Sequence, residues 1–276
     1  MSIHRRLQVF SVHWSNRVNS VNPEGIEPRR DLVQKIEAWD GRWGRLVLER
    51  LRVQMADADP AHGLEHVQRV VRNACLIATN LVNSPGLGGA RRVDFEVLLP
   101  AAWFHDCVYV PKNSAQRSEA SRLAADRAVV LLTDLGYPAV KFPAIAHAIE
   151  AHSFSAQIPC RSLEAQVLQD ADRLEALGAI GLARCLMTGG SMGQRLYHPE
   201  DPFPTVREPR DDQQSVDHFF AKLLKLPSTM QTESGKQIAS ERAGYLAAFL
   251  EQLAQEIGVP IQLPSEFRGL QSGSVG

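Results

Sequence analysis

The sequence predicts an all-α protein. Three observations carry that reading. Apolar residues recur at i, i+3, i+4 and i+7 along most of the chain, helix stop signals follow those stripes, and no alternating strand pattern or hairpin turn interrupts them. Residues 31–55 form a helix or helix pair. From Val67 a stripe runs through Val70, Val71, Ala74, Ile77, Ala78 and Leu81 and stops before Ser84-Pro85-Gly86. Residues 93–106 make another helix. Asn113 or Ser114 is placed to cap a long helix with its stripe on Ala120, Leu123, Ala124, Ala128, Leu131 and Leu135, and Gly136 and Pro138 then supply the stop. Helical segments follow at about 140–152, 162–185, 214–226 and 235–257.

Residues 188–212 (TGGSMGQRLYHPEDPFPTVREPRDD) carry no helical stripe. A connection this long inside a compact domain reads as a functional loop, here a candidate lid. One domain is expected over 31–258, with 1–30 a flexible extension and 264–276 a disordered tail.

Length and composition set the class. The 276 residues are 44% hydrophobic and 22% charged, an ordinary globular balance. The 30 basic residues meet 31 acidic ones, for a formal net charge of -1, which gives no support to generic binding of nucleic acid or an anionic membrane. No apolar run is long enough to span a bilayer. The start MSIHRRLQVFSVHW lacks a signal-peptide core. Cys75, Cys107, Cys160 and Cys185 form no CxxC pair and read as reduced thiols, mostly buried, in a cytoplasmic protein.

Polar residues intrude on several apolar helices. His62-Gly-Leu-Glu65-His66 matches H-x-x-E-H, the pattern of inverted zinc metalloproteases, and four-residue spacing puts both imidazoles on one helix face. In LLPAAWFHDCVYV, His105 and Asp106 break a hydrophobic run, with Leu98, Ala101 and Ala102 on the side of His105. In AIAHAIEAHSFSA, His152 lies over Ile145, Ala148 and Ile149 and so faces inward, whereas His147 is less constrained. In LEAQVLQDADRLEALGAIGLA, Asp172 shares a stripe with Ala165, Leu168, Ala176 and Ala179. Asp170 has apolar neighbours too, so periodicity does not choose between the two aspartates. Buried imidazoles and carboxylates need partners, and a shared metal would serve them together. A His/Asp set without cysteine suits Mn, Mg, Fe, Co, Ni or Zn.

The order His66, then His105-Asp106 (FHDCVY), then Asp172 (DADRL) resembles the H…HD…D signature of the HD superfamily of metal-dependent phosphohydrolases. The likeness covers roughly residues 55–185. With the strings PKNSAQRSEAS, AHAIEAHSFSA and QDADRLEALGAIGLAR, the chain looks most like uncharacterised bacterial HD-domain hydrolases. Similarity through SVDHFFAKLLKL and MQTESGKQIASERA extends the expected domain to about 258.

The resemblance implies an HD-type helical bundle with a carboxy-terminal helical extension. It implies His66, His105, Asp106 and Asp172 as ligands of a divalent metal, and gives Asp170 a supporting role. Some members hold a second metal, for which His147 and His152 are candidates, with His62 a neighbour of the site. The glycine-tyrosine-proline continuation of the cyclic-dinucleotide branch is absent after His152, which argues against that activity.

The implied chemistry is attack of metal-activated water on a phosphate ester or nucleotide. Asp106 would orient the water, and Asp170, Glu150 or a histidine would take a proton. Lys112, Arg117 and Arg173 are placed to hold phosphate, the first two beside the expected helix start at Asn113–Ser114. A metal-containing nucleotide-binding module with little turnover is the alternative. A peptidase is a remote one, since it leaves the HD and DAD motifs without a role. His218, among Val216, Phe219 and Phe220, is expected to pack or hydrogen-bond.

Overall fold

The stripes become helices wherever they can be followed. The computed structural model describes residues 30–55, 63–83, 93–110, 114, 116–153 and 156–267. Helix α1 (Arg30–Trp39) passes through a π-helical turn (Asp40–Gly44) into α2 (Arg45–Gln54). Then come α3 (Leu64–Asn83), α4 (Phe95–Phe104), α5 (Ala120–Asp134), α6 (Phe142–His152), α7 (Leu163–Arg173), α8 (Gly178–Ser191), α9 (Ser215–Ala221) and α10 (Glu233–Ile257). Among the described residues no strand forms, and a single isolated bridge joins Arg195 to Gln214. None of the described helices is long and apolar enough to cross a membrane.

The chain divides into two compact units, Met1–Ala171 and Asp172–Gly276. In the first, α4 is the hub. Every one of its residues except Glu96 is buried, and it packs on α1, α2, α3, α5 and α6. Burial of a side chain such as Phe104 contributes about 1.5–3 kcal/mol, so a helix apolar all round is held from every side. Its start is fixed by Asp94, whose carboxylate accepts the Glu96 N–H at 2.9 Å. A rigid hub of this kind gives a fixed base to whatever leaves its carboxy-terminal end, here His105 and Asp106.

In the second unit α10 packs on α8 and on the 3-10 segments Leu174–Ala176 and Leu223–Thr229. Thr232 caps α10 by accepting the Gly235 N–H at 2.9 Å, and Gly258, at φ 70°, ends it.

Several sequence expectations need correction. The segment 162–185 is two helices, because Leu177 is extended and Gly178 takes φ 65°, a left-handed conformation that glycine adopts without strain. Apolar spacing continues across that break and hides it. Helix α5 starts at Ala120, preceded by a 3-10 turn (Arg117–Glu119). Ser114 is not its cap, since its hydroxyl accepts the nearby Gln116 N–H in a local turn. The buried face of α5 is Ser121, Ala124, Ala125, Ala128, Leu131 and Leu132, while Leu123 is exposed. Small residues bury by close approach of backbones, and that shifts the phase of the stripe.

Helix α8 runs on to Ser191, so the irregular connection begins at Met192. Glycine is needed at position 189 within the helix, since a Cβ there would lie 2.0 Å from the Ser215 hydroxyl. The loop is pinned internally. Fully buried Asp217 accepts the Arg207 guanidinium and, at 2.7 Å, the Arg210 N–H. Within the expected tail, the turn Ser265–Phe267 packs on α10 and buries Phe267. Residues 1–29 and 268–276, expected as flexible ends, lie outside the described residues.

Candidate metal centre

Three helices of the first unit aim side chains at one point. His66 enters from the first turn of α3, His105 and Asp106 follow the last residue of α4, and His152 is the last residue of α6. His66, His105 and His152 are buried, at 2%, 0% and 5% exposure, while the Asp106 side chain keeps 30%. The site is a closed histidine wall with its carboxylate on the open side.

The last four carbonyls of any helix lack an intrahelical partner. His105 uses this: its Nδ1 lies 2.8 Å from the Ala102 carbonyl. His152 repeats the device, with Nδ1 at 2.6 Å from the Ile149 carbonyl. A carbonyl oxygen only accepts, so both Nδ1 atoms carry the proton, and in its neutral form each ring presents the lone pair of Nε2 to the site. One local interaction thus ends the helix, fixes the tautomer and aims the ring.

Those lone pairs converge on Asp106. The carboxylate is 3.6 Å from His66 Nε2, 3.7 Å from His105 Nε2 and 3.6 Å from His152 Nε2. His66 Nε2 and His105 Nε2 are 3.4 Å apart. His105, Asp106 and His152 offer ligand atoms within 4.8 Å of one another. Burial works against the charge on Asp106, but positive charge on His105 and hydrogen bonds from protonated His152 and His66 outweigh it and hold its carboxyl well below the usual carboxylate range; with the rings neutral, a cation would take over that role. An ionised carboxylate among imidazole lone pairs is a donor set that fits a divalent cation of the first transition row.

His66 and His105 form a second such group with Asp172, and the remaining candidates are distributed differently. His147 is apart from this cluster: its Nε2 accepts the Arg161 N–H at 3.0 Å, and burial together with Arg161 lowers its pKa. Asp170 is fully buried on α7 and Asp172 is half-buried on the same helix. Asn73, seven residues after His66 on α3, donates to the Ala171 carbonyl at 3.1 Å, immediately before Asp172. Arg173 donates to the Thr229 carbonyl, so its guanidinium has a structural tie. Arg117 opens the 3-10 turn that precedes α5, which removes the α-helix start on which its phosphate role was argued. His62 and Lys112 lie outside the described residues. Glu65 is exposed while His66 turns inward, toward groups for which a peptidase reading has no use. His218 pairs with Asp211 at 2.9 Å, away from any chemistry assigned above.

Sequence reasoning missed two amides. Asn73, just described, and Gln169, whose Nε2 donates to the Ala151 carbonyl at 2.8 Å, are both buried. A polar residue on an apolar helix face was their only signal.

The comparisons agree with this geometry. The HD domain matches residues 63–177. The Bacillus subtilis protein YpgQ, itself uncharacterised, is 30% identical over 208 residues, spanning 74% of this chain and 88% of that protein. The chain belongs to the HD-domain family. Among HD-domain structures it resembles an HD-superfamily hydrolase from Bacillus thuringiensis, at 27% identity and TM-score 0.58 over 79% of this chain and all of that one. It also resembles the crystal structure of Bacillus subtilis YpgQ in complex with ADP, at 26% identity and TM-score 0.54 over 77% of this chain and 95% of that one.

Proposed function

We propose that this HD-domain protein is a metal-dependent phosphohydrolase acting on a small phosphorylated substrate, with a nucleotide the favoured class. The observation that carries the reading is the convergence of three imidazole Nε2 atoms on the Asp106 carboxylate. Likeness to an HD-superfamily hydrolase supports the hydrolase class, and the ADP complex of YpgQ supports a nucleotide.

In this reading His66, His105, Asp106 and Asp172 would hold one cation, and His152, whose ligand atom lies within 4.8 Å of those of His105 and Asp106, is the candidate ligand of a second. Asp172 is chosen over Asp170 because it is the aspartate that matches the H…HD…D signature, and it groups with His66 and His105 as a possible ligand. When bound, the divalent ion supplies Lewis acidity, making water a competent nucleophile near neutral pH and neutralising phosphate charge. The chain's own residues do the rest. His105 and His152 keep their lone pairs inward through their carbonyl bonds, and the buried wall excludes bulk water from the far side. Asp106, ionised and partly open, orients the attacking water toward phosphorus. Asp170 and Glu150 remain the candidate proton acceptors, with Lys112, Arg117 and Arg173 the candidate phosphate contacts.

Incubation with a nucleotide and phosphoester panel in Mn, Co, Mg or Ni tests the reading. Release of more than one product equivalent per chain, abolished by Asp106→Ala with the fold intact by circular dichroism, is expected. Saturable ADP binding without product from any substrate would favour the regulatory module.

A further inference from the structure

We infer that Gln169 is a positioning residue for His152, gripping the end of α6 so that the imidazole is aimed into the cluster. The inference rests on the metal-site reading above and adds a residue to it.

Helix α6 stops at His152, so the carbonyls of its last turn need partners from elsewhere. Two are supplied by side chains. His152 Nδ1 takes the Ile149 carbonyl, and Gln169 Nε2, from α7, takes the Ala151 carbonyl at 2.8 Å. The Cys160 thiol lies further from the same oxygen, at 3.7 Å. Ala151 immediately precedes His152, so the Gln169 bond fixes the peptide from which the imidazole projects. The far end of the grip is held as well. Asn73, on the helix of His66, donates to the Ala171 carbonyl two residues beyond Gln169. Two buried amides therefore link the helix of His66, through α7, to the helix of His152.

The amide at position 169 is retained at a cost. Gln169 is 5% exposed, and its Oε1 finds no hydrogen-bond partner among the described residues. An apolar side chain of similar size would avoid burying that oxygen. What the amide adds is its donor, and the donor is spent on the peptide that carries His152.

Gln169→Met removes the donor at nearly constant size. Gln169→Asn, which withdraws it by one methylene, takes its place should the first variant not fold. In metal-free protein, the nitrogen-15 shift of His152 Nε2 should move in the Gln169 variant and stay unchanged in Cys160→Ala. Co2+ affinity, read by titration of the folded protein, should fall about tenfold or more. In a His152→Ala background the same substitution should cause no further loss. An unchanged His152 resonance, or a loss of affinity that persists without His152, would overturn the inference. Failure of wild type to bind Co2+ with the His152 shift still present would count against the metal site and leave the grip standing.

Discussion

His66 Nε2 stands 3.4 Å from His105 Nε2, and the two nitrogens share the Asp106 carboxylate as neighbour. With the His105 proton committed to Ala102, His105 cannot donate through Nε2 in its neutral form, so the group of acceptors gains from a cation.

The first prediction follows from that arrangement. A ligand that binds only the folded state stabilises it by about 2.7 kcal/mol at a hundred times its Kd. Mn2+ or Co2+ at that level should raise the melting temperature of the unit carrying the site by about 5–10 °C. His105→Ala should remove the shift. Scanning calorimetry with and without metal checks this, and an equal shift in the variant would place the metal elsewhere.

The thiols of Cys75, Cys107 and Cys185 should be inert. Burial pushes Cys75 and Cys107 up to about 12, and Cys185 up to about 11. The thiolate is the reactive form, so all three stay protonated and slow at pH 8. Mass mapping after brief maleimide treatment of native protein should find little label at these positions and full labelling after denaturation.

Tyr137 ties the first unit together near α4. Its hydroxyl accepts the Trp39 indole N–H at 2.9 Å and donates to the Glu96 carbonyl at 2.7 Å. Burial raises its pKa to about 12. Between about pH 10 and 12 the unfolded chain loses this proton while the folded chain keeps it, so stability falls as pH rises through that window. Tyr137→Phe should cost about 1–3 kcal/mol at neutral pH, because it strands the buried Trp39 indole N–H and the partly buried Glu96 carbonyl. It should also flatten the alkaline fall. Urea titrations across the pH range measure both effects.

Asp217 anchors the loop that begins at Met192. It is fully buried and holds Arg207, whose side chain is 20% exposed, together with the Arg210 N–H. Asp217→Ala should cost about 2–3 kcal/mol, less than for a fully enclosed pair because Arg207 keeps some solvent. Limited proteolysis should cut the wild-type loop slowly with or without nucleotide, and the variant quickly. Protection that appears only with nucleotide would identify the loop as a lid.

The legible part of this molecule was the part written in local chemistry. His66, His105 and Asp106 stood out as polar residues on apolar helices, and the hub α4 stood out as an unbroken apolar run. Periodicity failed where backbone conformation takes over. The break at Leu177–Gly178 depends on a left-handed glycine that apolar spacing does not register. The outward turn of Leu123 depends on alanines packing more closely than a larger side chain would. Gln169 and Asn73 were missed because their partners are backbone carbonyls distant in sequence, and a carbonyl carries no residue signature.

The measurement that bears most directly on the central claim is metal content by mass spectrometry after loading. Wild type and a His105→Ala/Asp106→Ala variant would be compared, each then assayed for phosphate or nucleoside release from a nucleotide panel. The account predicts at least one metal per wild-type chain with turnover, and neither in a folded double variant. A wild-type protein that takes up no Mn, Co, Mg, Ni, Fe or Zn would contradict it, and would make the histidine wall around Asp106 a structural feature alone.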